Sequence, residues 1–165
     1  MRIGKGVEWA AHTCALLALL PPGAALSGEA LANFLGVPLP YLAKQLQALS
    51  RAGIVKAKRG AAGGYRLAKS PAELSLWDVS AAIEGSAPSF RCTEVRRNGP
   101  CGASPRECKR PCPIAAAFRR AEAGYRDALS AVRLTDIVAD VAEEASGERK
   151  QRISQWIREE ASGSS

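Results

Sequence analysis

Between Pro38 and Ala68 the chain permits few arrangements. The first half of this run, "PLPYLAKQLQALSRAG", spaces Leu42, Leu46 and Leu49 four and three residues apart, the repeat of one buried helical stripe. Tyr41, Lys44, Gln45 and Gln47 fall off that stripe, and Gly53 ends the helix. The second half, "IVKAKRGAAGGYRLA", reads as two short strands, Ile54–Lys58 and Tyr65–Ala68, around a glycine-rich turn that carries Arg59 and Gly60. Two helices precede it. Residues 7–20 form the first, stopped by Pro21-Pro22-Gly23; Ser27 caps the second, with Leu31 and Leu35 on one face and Gly36 as its stop.

Three helices followed by a basic hairpin is the element order of a winged helix-turn-helix. Downstream, Ser75 and Asp78 make a capping box that opens a fourth helix, and Gly85 closes it. A long helix runs from Pro113 to about Val132, with Ile114, Phe118, Ala121, Tyr125, Ala128 and Val132 along one face. That face has no obvious partner in its own chain, which predicts a dimer contact. Thr135 is expected to cap a further helix through Ala145. A polar break at Ser146-Gly147-Glu148 then precedes an amphipathic piece with Ile153, Trp156 and Ile157, and the final "ASGSS" is expected to be disordered. Alanine and leucine supply most of the 47% hydrophobic content and aromatics only 5%, which favours helices over sheets. The fold class is therefore mainly α with a small β-hairpin wing, a winged helix-turn-helix plus a long dimerisation helix. The divisions are 1–85 (DNA-binding domain), 86–112 (cysteine-rich loop), 113–145 (dimerisation helix and the helix after it) and 146–165 (C-terminal helix and tail).

The net charge of +7 has a location. Residues 1–70 hold nine Lys/Arg and two Asp/Glu, whereas residues 71–165 hold fourteen of each. The whole excess sits in the helix-turn-helix segment, the pattern of one module that meets a polyanion. In such a module the second helix enters the major groove of double-stranded DNA, and side chains near its N-terminus reach base edges. Those positions are Pro40, Tyr41, Lys44 and Gln45. The wing offers Lys56, Lys58, Arg59 and Arg66 to phosphates, and Gly60 lets the backbone turn and approach closely.

The N-terminus imitates a secretion signal. "MRIGKGVEWAAHTCALLALLPPGAALS" has a basic start and an apolar run, but Glu8 and His12 leave only Thr13 to Leu20 uninterrupted. No stretch approaches the roughly 18 apolar residues of a membrane span. The chain is expected to be cytoplasmic, with no membrane partner. In that compartment clustered cysteines more often mean metal or redox chemistry than structural disulfides.

Such a cluster is present. "RCTEVRRNGPCGASPRECKRPCP" packs Cys92, Cys101, Cys108 and Cys112 into 21 residues with six basic side chains. Only Cys108 and Cys112 have the close spacing zinc prefers and the remaining gaps are loose for it, yet a four-cysteine zinc site is one reading. A thiol–disulfide switch is another, since "CKRPC" sets cations beside its sulfurs. Iron–sulfur clusters tolerate wider gaps. On the first helix Glu8 and His12, the chain's one histidine, are four residues apart and share a face. Cys14 lies in an apolar run and reads as core. One histidine and no nucleophile–base or paired-carboxylate arrangement leave no catalytic site, so the chain is not read as an enzyme.

"YLAKQLQALSRAGIVKAKRGAAGGYRLAKSPAELSLWDVSAAIEG" followed by clustered cysteines resembles the bacterial winged-helix regulators that include IscR, NsrR and RirA. The wing "RGAAGGYRLA" leading into "SLWDVSAAIEG" is its most specific part. The resemblance implies a homodimeric transcription regulator with an iron–sulfur cluster near the dimerisation helix. "GVEWAAH", the framing Cys92 and Cys112, and "PIA" after the last cysteine are similar to the RsrR-like redox-sensing branch. That branch implies a 2Fe-2S cluster bridging two chains, held by Glu8 and His12 of one and Cys92 and Cys112 of the other. Cys101 and Cys108 are the alternates, and a 4Fe-4S cluster or zinc the alternative cofactors. Many family members place three cysteines in this loop; this chain has four, with wider gaps. An imidazole and a carboxylate in place of thiolates raise a cluster's reduction potential, and a histidine ligand can couple electron uptake to protonation. The implied function is a redox-modulated DNA-binding regulator. The other readings are a zinc or thiol-disulfide repressor and an electron-transfer protein.

Overall fold

A computed structural model describes residues 3–58, 60 and 63–161. Among them run seven α-helices and one antiparallel hairpin. Helix α1 (Lys5–Ala18) presents Ala10, Thr13, Cys14 and Leu17 to the interior, and Thr13 returns its hydroxyl to the Trp9 carbonyl at 2.7 Å. Helix α2 (Gly28–Leu35) starts where expected, with Ser27 Oγ accepting the Ala30 N–H at 3.0 Å. It stops at Gly36, whose φ of 63° is left-handed, a conformation that costs glycine nothing. Two residues later α3 (Leu39–Arg51) begins, with Pro40 in its first turn where a missing N–H is harmless. Leu42, Leu46 and Leu49 are all fully buried, as their spacing predicts.

The wing is β1 (Val55–Lys58) paired with β2 (Gly64–Leu67), in register Val55↔Leu67 to Lys58↔Gly64. A third extended segment, invisible to hydrophobic patterning, anchors it. Leu26 and Tyr65 exchange both backbone hydrogen bonds, at 3.0 and 2.7 Å. The approach is so close that a Cβ on Gly64 would lie 2.6 Å from the Leu26 carbonyl oxygen.

Helix α4 (Leu76–Glu84) carries the anticipated capping box: the Asp78 carboxylate accepts the Ser75 N–H at 2.8 Å and Ser75 Oγ accepts the Asp78 N–H. Helix α5 (Pro113–Ala131) follows the cysteine loop and leads directly into α6 (Leu134–Glu144). The expected cap at Thr135 is displaced by two residues. Asp136 accepts the N–H of Arg133 at 2.8 Å, and Leu134 is drawn inward by its N–H bond to the Leu74 carbonyl, so the helix starts earlier. The polar break at Ser146 is itself a cap for α7 (Gly147–Glu160). This last helix folds back on the winged domain. Ile157 is buried in the common core, Ile153 and Trp156 pack beside it, and Trp156 meets Phe34 of α2 with ring centroids 4.7 Å apart. The core therefore draws on α1 to α4, the wing, α6 and α7. A fully buried leucine contributes about 1.5–3 kcal/mol of transfer free energy.

Helix α5 has partial support within the chain. Tyr125 meets Trp77 of α4 edge-on at 6.3 Å, and Phe118 stacks on Phe90 at 4.4 Å. Ile114 and Phe118 nevertheless remain 63% and 49% exposed. No helix among the described residues is long and apolar enough to cross a membrane.

Candidate functional site

Two surfaces carry chemistry. The first is the outer face of α3 together with the wing. Pro40, Ala43, Lys44, Gln47, Ser50 and Arg51 line a cleft of about 610 Å³, closed on its far side by Ala57 and Tyr65. Lys44, Gln47 and Arg51 recur at three and four residues, so they form one polar stripe opposite the buried leucines. Of the residues expected to read bases, Pro40 and Lys44 lie on this cleft. Tyr41 is 63% exposed but leans toward α1, its ring meeting Trp9 edge-on at 6.3 Å. Gln45 is half-buried, with its amide against α1; a Cβ on Gly6 would lie 3.0 Å from Gln45 Oε1. Gln47 and Arg51 take the outward position. Their period, counted from Lys44, was the available signal.

On the wing Lys56 and Lys58 are exposed, and Lys56 sits directly across the ladder from Arg66. Like charges opposite one another weaken a hairpin. Among the described residues none of these cations, nor Lys44, makes an ion pair; the one salt bridge is Arg96–Glu94. The pairing makes physical sense on a face that meets an anion. Gly60 is exposed with φ of 111°, and its carbonyl accepts the Gly63 N–H at 2.8 Å. Arg59 lies outside the described residues.

The second surface is the cysteine loop. Cys112 is the N-cap of α5, and its sulfur accepts the N–H groups of Ala115 and Ile114. These bonds, with a hydrogen bond from Cys92 and the nearby Arg96 charge, hold its pKa below that of an ordinary thiol. Cys92 Sγ in turn accepts the Glu94 N–H at 3.4 Å. Glu94 is the one described non-glycine residue with positive φ, at 54°. That turn carries its carboxylate to Arg96, 2.7 Å away, and Arg96 donates to the Arg110 carbonyl at 2.7 Å. Arg96 thus staples the two ends of the loop. The Glu94 hydrogen bond raises its pKa, and the charges of Cys108 and Cys112 beside it add to the effect.

The loop therefore brings Cys92 and Cys112, twenty positions apart, close enough for the Cys92 thiol to help lower the pKa of Cys112, and Cys108 lies near the Arg96 guanidinium. Cys101 is exposed on a separate turn, where the Gly102 N–H bonds the Gly99 carbonyl. None of the described cysteines is in a disulfide. Cys14 is wholly buried, and burial pushes its thiol up to about 12, as a core residue requires.

Glu8 and His12 are exposed one turn apart on α1 and form no hydrogen bond or ion pair among the described residues. Within one chain, no three His, Cys, Asp or Glu side chains of the described residues form a metal-holding group. The chain presents a carboxylate–imidazole pair on α1 and, in the loop, two thiols with backbone donors at their sulfurs. Both consist of donors that suit iron.

Comparison with known proteins identifies the family. Residues 3–140 match the model of the Rrf2 family, described as iron-dependent transcriptional regulators. The chain is 29% identical over 140 residues to the HTH-type transcriptional repressor NsrR of Streptomyces coelicolor, covering 84% of this chain and 89% of that one. It is 47% identical over 74 residues to slr0846 of Synechocystis sp., which carries an HTH-type regulator name; there it spans 45% of this chain and only half of its relative. Among solved structures, T. potens IscR superposes with a TM-score of 0.65 at 23% identity, covering 90% of this chain and 95% of that one.

Proposed function

The chain belongs to the Rrf2 family of transcriptional regulators, and on that premise we propose that it is a homodimer whose operator affinity is set by a bridging iron–sulfur cluster of the 2Fe-2S type. Glu8 and His12 of one protomer and Cys92 and Cys112 of its partner would hold the cluster. The observation that carries this reading is the pairing of Cys92 with Cys112 at the head of α5, while Glu8 and His12 stand uncommitted on α1. Each half-site lacks two ligands and the other has two to give.

When bound, the cluster supplies a one-electron redox couple, tuned upward by its non-thiolate ligands. The chain's own residues do the rest. The Ala115 and Ile114 N–H groups stabilise the Cys112 thiolate, and Arg96 adds positive charge beside it. Trp9, next to Glu8 and one turn before His12, touches Tyr41 of α3, and Gln45 of α3 rests against Gly6, so a shift of α1 reaches the recognition helix through these contacts. Half-site spacing sets the affinity of a dimeric helix-turn-helix protein, and small movements of α3 change it.

Anaerobic purification followed by visible absorption, iron and acid-labile sulfide analysis tests the reading. About two irons per dimeric site, lost in His12→Ala and in Cys92→Ser with the dimer intact, are expected. An unchanged spectrum in His12→Ala removes that residue from the ligand set. Operator binding by gel shift should differ between oxidised and dithionite-reduced protein. A second reading has its own observation: two neighbouring thiols, one with a lowered pKa, also suit a thiol–disulfide switch. A colourless protein that takes up no cluster on reconstitution, and whose Cys92 and Cys112 cross-link on oxidation, would replace the first reading with the second.

A further inference from the structure

A crevice of about 530 Å³ opens between α4, residues 85–89 and α5. Its size falls in the range of small-molecule sites, roughly 300–1,000 Å³. Trp77 and Tyr125 form an aromatic wall, their rings 6.3 Å apart and nearly perpendicular. The Tyr125 hydroxyl is shielded from solvent and is the one buried side-chain oxygen or nitrogen among the described residues that has no hydrogen-bond partner. A buried hydroxyl left unsatisfied costs about 1–3 kcal/mol, so a polar group that reached it would be strongly favoured.

The cations of the crevice are also uncommitted. Arg119, Glu122 and Arg126 occupy one stripe of α5 at three- and four-residue spacing, where Glu122 would ordinarily pair with either arginine. It does not. Glu122 Oε1 accepts the N–H groups of Ser89 and Phe90 at 2.6 and 3.0 Å, and neither arginine makes an ion pair among the described residues. The other carboxylate lining the crevice, Glu84, is likewise engaged, its Oε1 accepting the Gly4 N–H at 2.7 Å. One oxygen of each acid is thus held by backbone donors of the surrounding segments rather than by an arginine. The donors at the crevice include the two guanidiniums and the Tyr125 phenol, beside the Trp77 ring and Pro88.

We infer that this crevice is a binding site for a small organic carboxylate with a flat apolar body. The carboxylate takes the guanidinium of Arg119 or Arg126 and the Tyr125 hydroxyl, and the apolar body lies against Trp77. Guanidinium–carboxylate pairing is bidentate and charge-assisted, which selects a carboxylate over a neutral amide. The crevice uses the first residues of the cysteine loop but none of its four cysteines, shares no lining residue with the cleft on α3, and stands whether or not a cluster is present.

Isothermal titration of the full chain with phenylacetate, benzoate and indole-3-acetate, with phenylacetamide as the neutral control, tests the inference. At least one acid should bind saturably, the amide about tenfold or more weaker, and Arg119→Gln with Arg126→Gln together should cost about tenfold or more, the loss of one charged hydrogen bond. Tyr125→Phe, which keeps the ring and removes only the unpartnered oxygen, should weaken binding without lowering the melting temperature. The inference is overturned if none of the three acids saturates by ~10 mM, a concentration above the millimolar range of even weak sites. Equal binding of acid and amide, or undiminished binding in a folded double arginine variant, overturns it as well.

Discussion

Gln45 and Gln47 illustrate what burial does to a residue's prospects. Both fall off the leucine stripe, yet Gln45 rests its amide against Gly6 while Gln47 faces the cleft between α3 and the wing. Gln47→Ala should therefore reduce discrimination between operator and mismatched DNA by about 1–3 kcal/mol, the worth of one bidentate base contact, and Gln45→Ala should leave it unchanged. Fluorescence anisotropy on matched and mutated duplexes measures both. Cys14 makes a separate prediction. Its folded pKa is raised to about 12 from 9.0, so the unfolded chain ionises first and holds fewer protons between those values. Stability is complete below pH 9 and falls as the pH rises toward 12, by on the order of 1 kcal/mol per unit. Urea unfolding at pH 8 and pH 10.5 should show this loss in the wild type and a smaller one in Cys14→Ala.

Among the elements, the wing depends most on a contact that patterning cannot show. Strand β2 is pinned to Leu26 by two backbone hydrogen bonds, and Gly64 permits the approach because it lacks a Cβ. Gly64→Ala must push the wing away from the Leu26 carbonyl. We expect a loss of roughly 1–3 kcal/mol in stability, the range of overpacking, together with weaker operator binding. Far-ultraviolet circular dichroism during thermal melting and a gel shift would record the two effects. Gly60→Ala is the contrast, since a Cβ there meets nothing within 4 Å and only its φ of 111° opposes the change. Helix α7 gives a related lesson: its sparse apolar residues, Ile153, Trp156 and Ile157, looked like a separate C-terminal piece, yet they pack against the core that α2 helps to form.

At the scale of the whole molecule, α5 is the element its own chain leaves unfinished. Phe90 and Trp77 cover part of it, while Ile114 and Phe118 stay largely exposed. In the proposed dimer this face meets its partner, and it carries Cys112 at its head. Ile114→Asp combined with Phe118→Asp should yield a folded monomer in sedimentation velocity. The same variant should lose the cluster and bind the operator at least tenfold more weakly, because both require two chains. A variant that remains dimeric places the interface elsewhere.

Sequence alone determined whatever depends on neighbours along the chain. The leucine stripe of α3, the Ser27 and Ser75 caps, the stops at Gly36 and Gly85 and the basic excess of residues 1–70 rest on spacings of a few residues, and all are found in place. The family followed from the same local signals. Tertiary structure decided whatever depends on distant partners: the Leu26 anchor of the wing, the return of α7 to the core, and Gln47 rather than Gln45 on the cleft. It also decided that Cys92 and Cys112 come near one another, because Arg96 bonds both Glu94 and the Arg110 carbonyl and so draws the ends of their loop together. Helical period and capping are written in the nearest four residues, whereas the pairing of segments tens of residues apart is set by packing and loop closure, which no local pattern encodes.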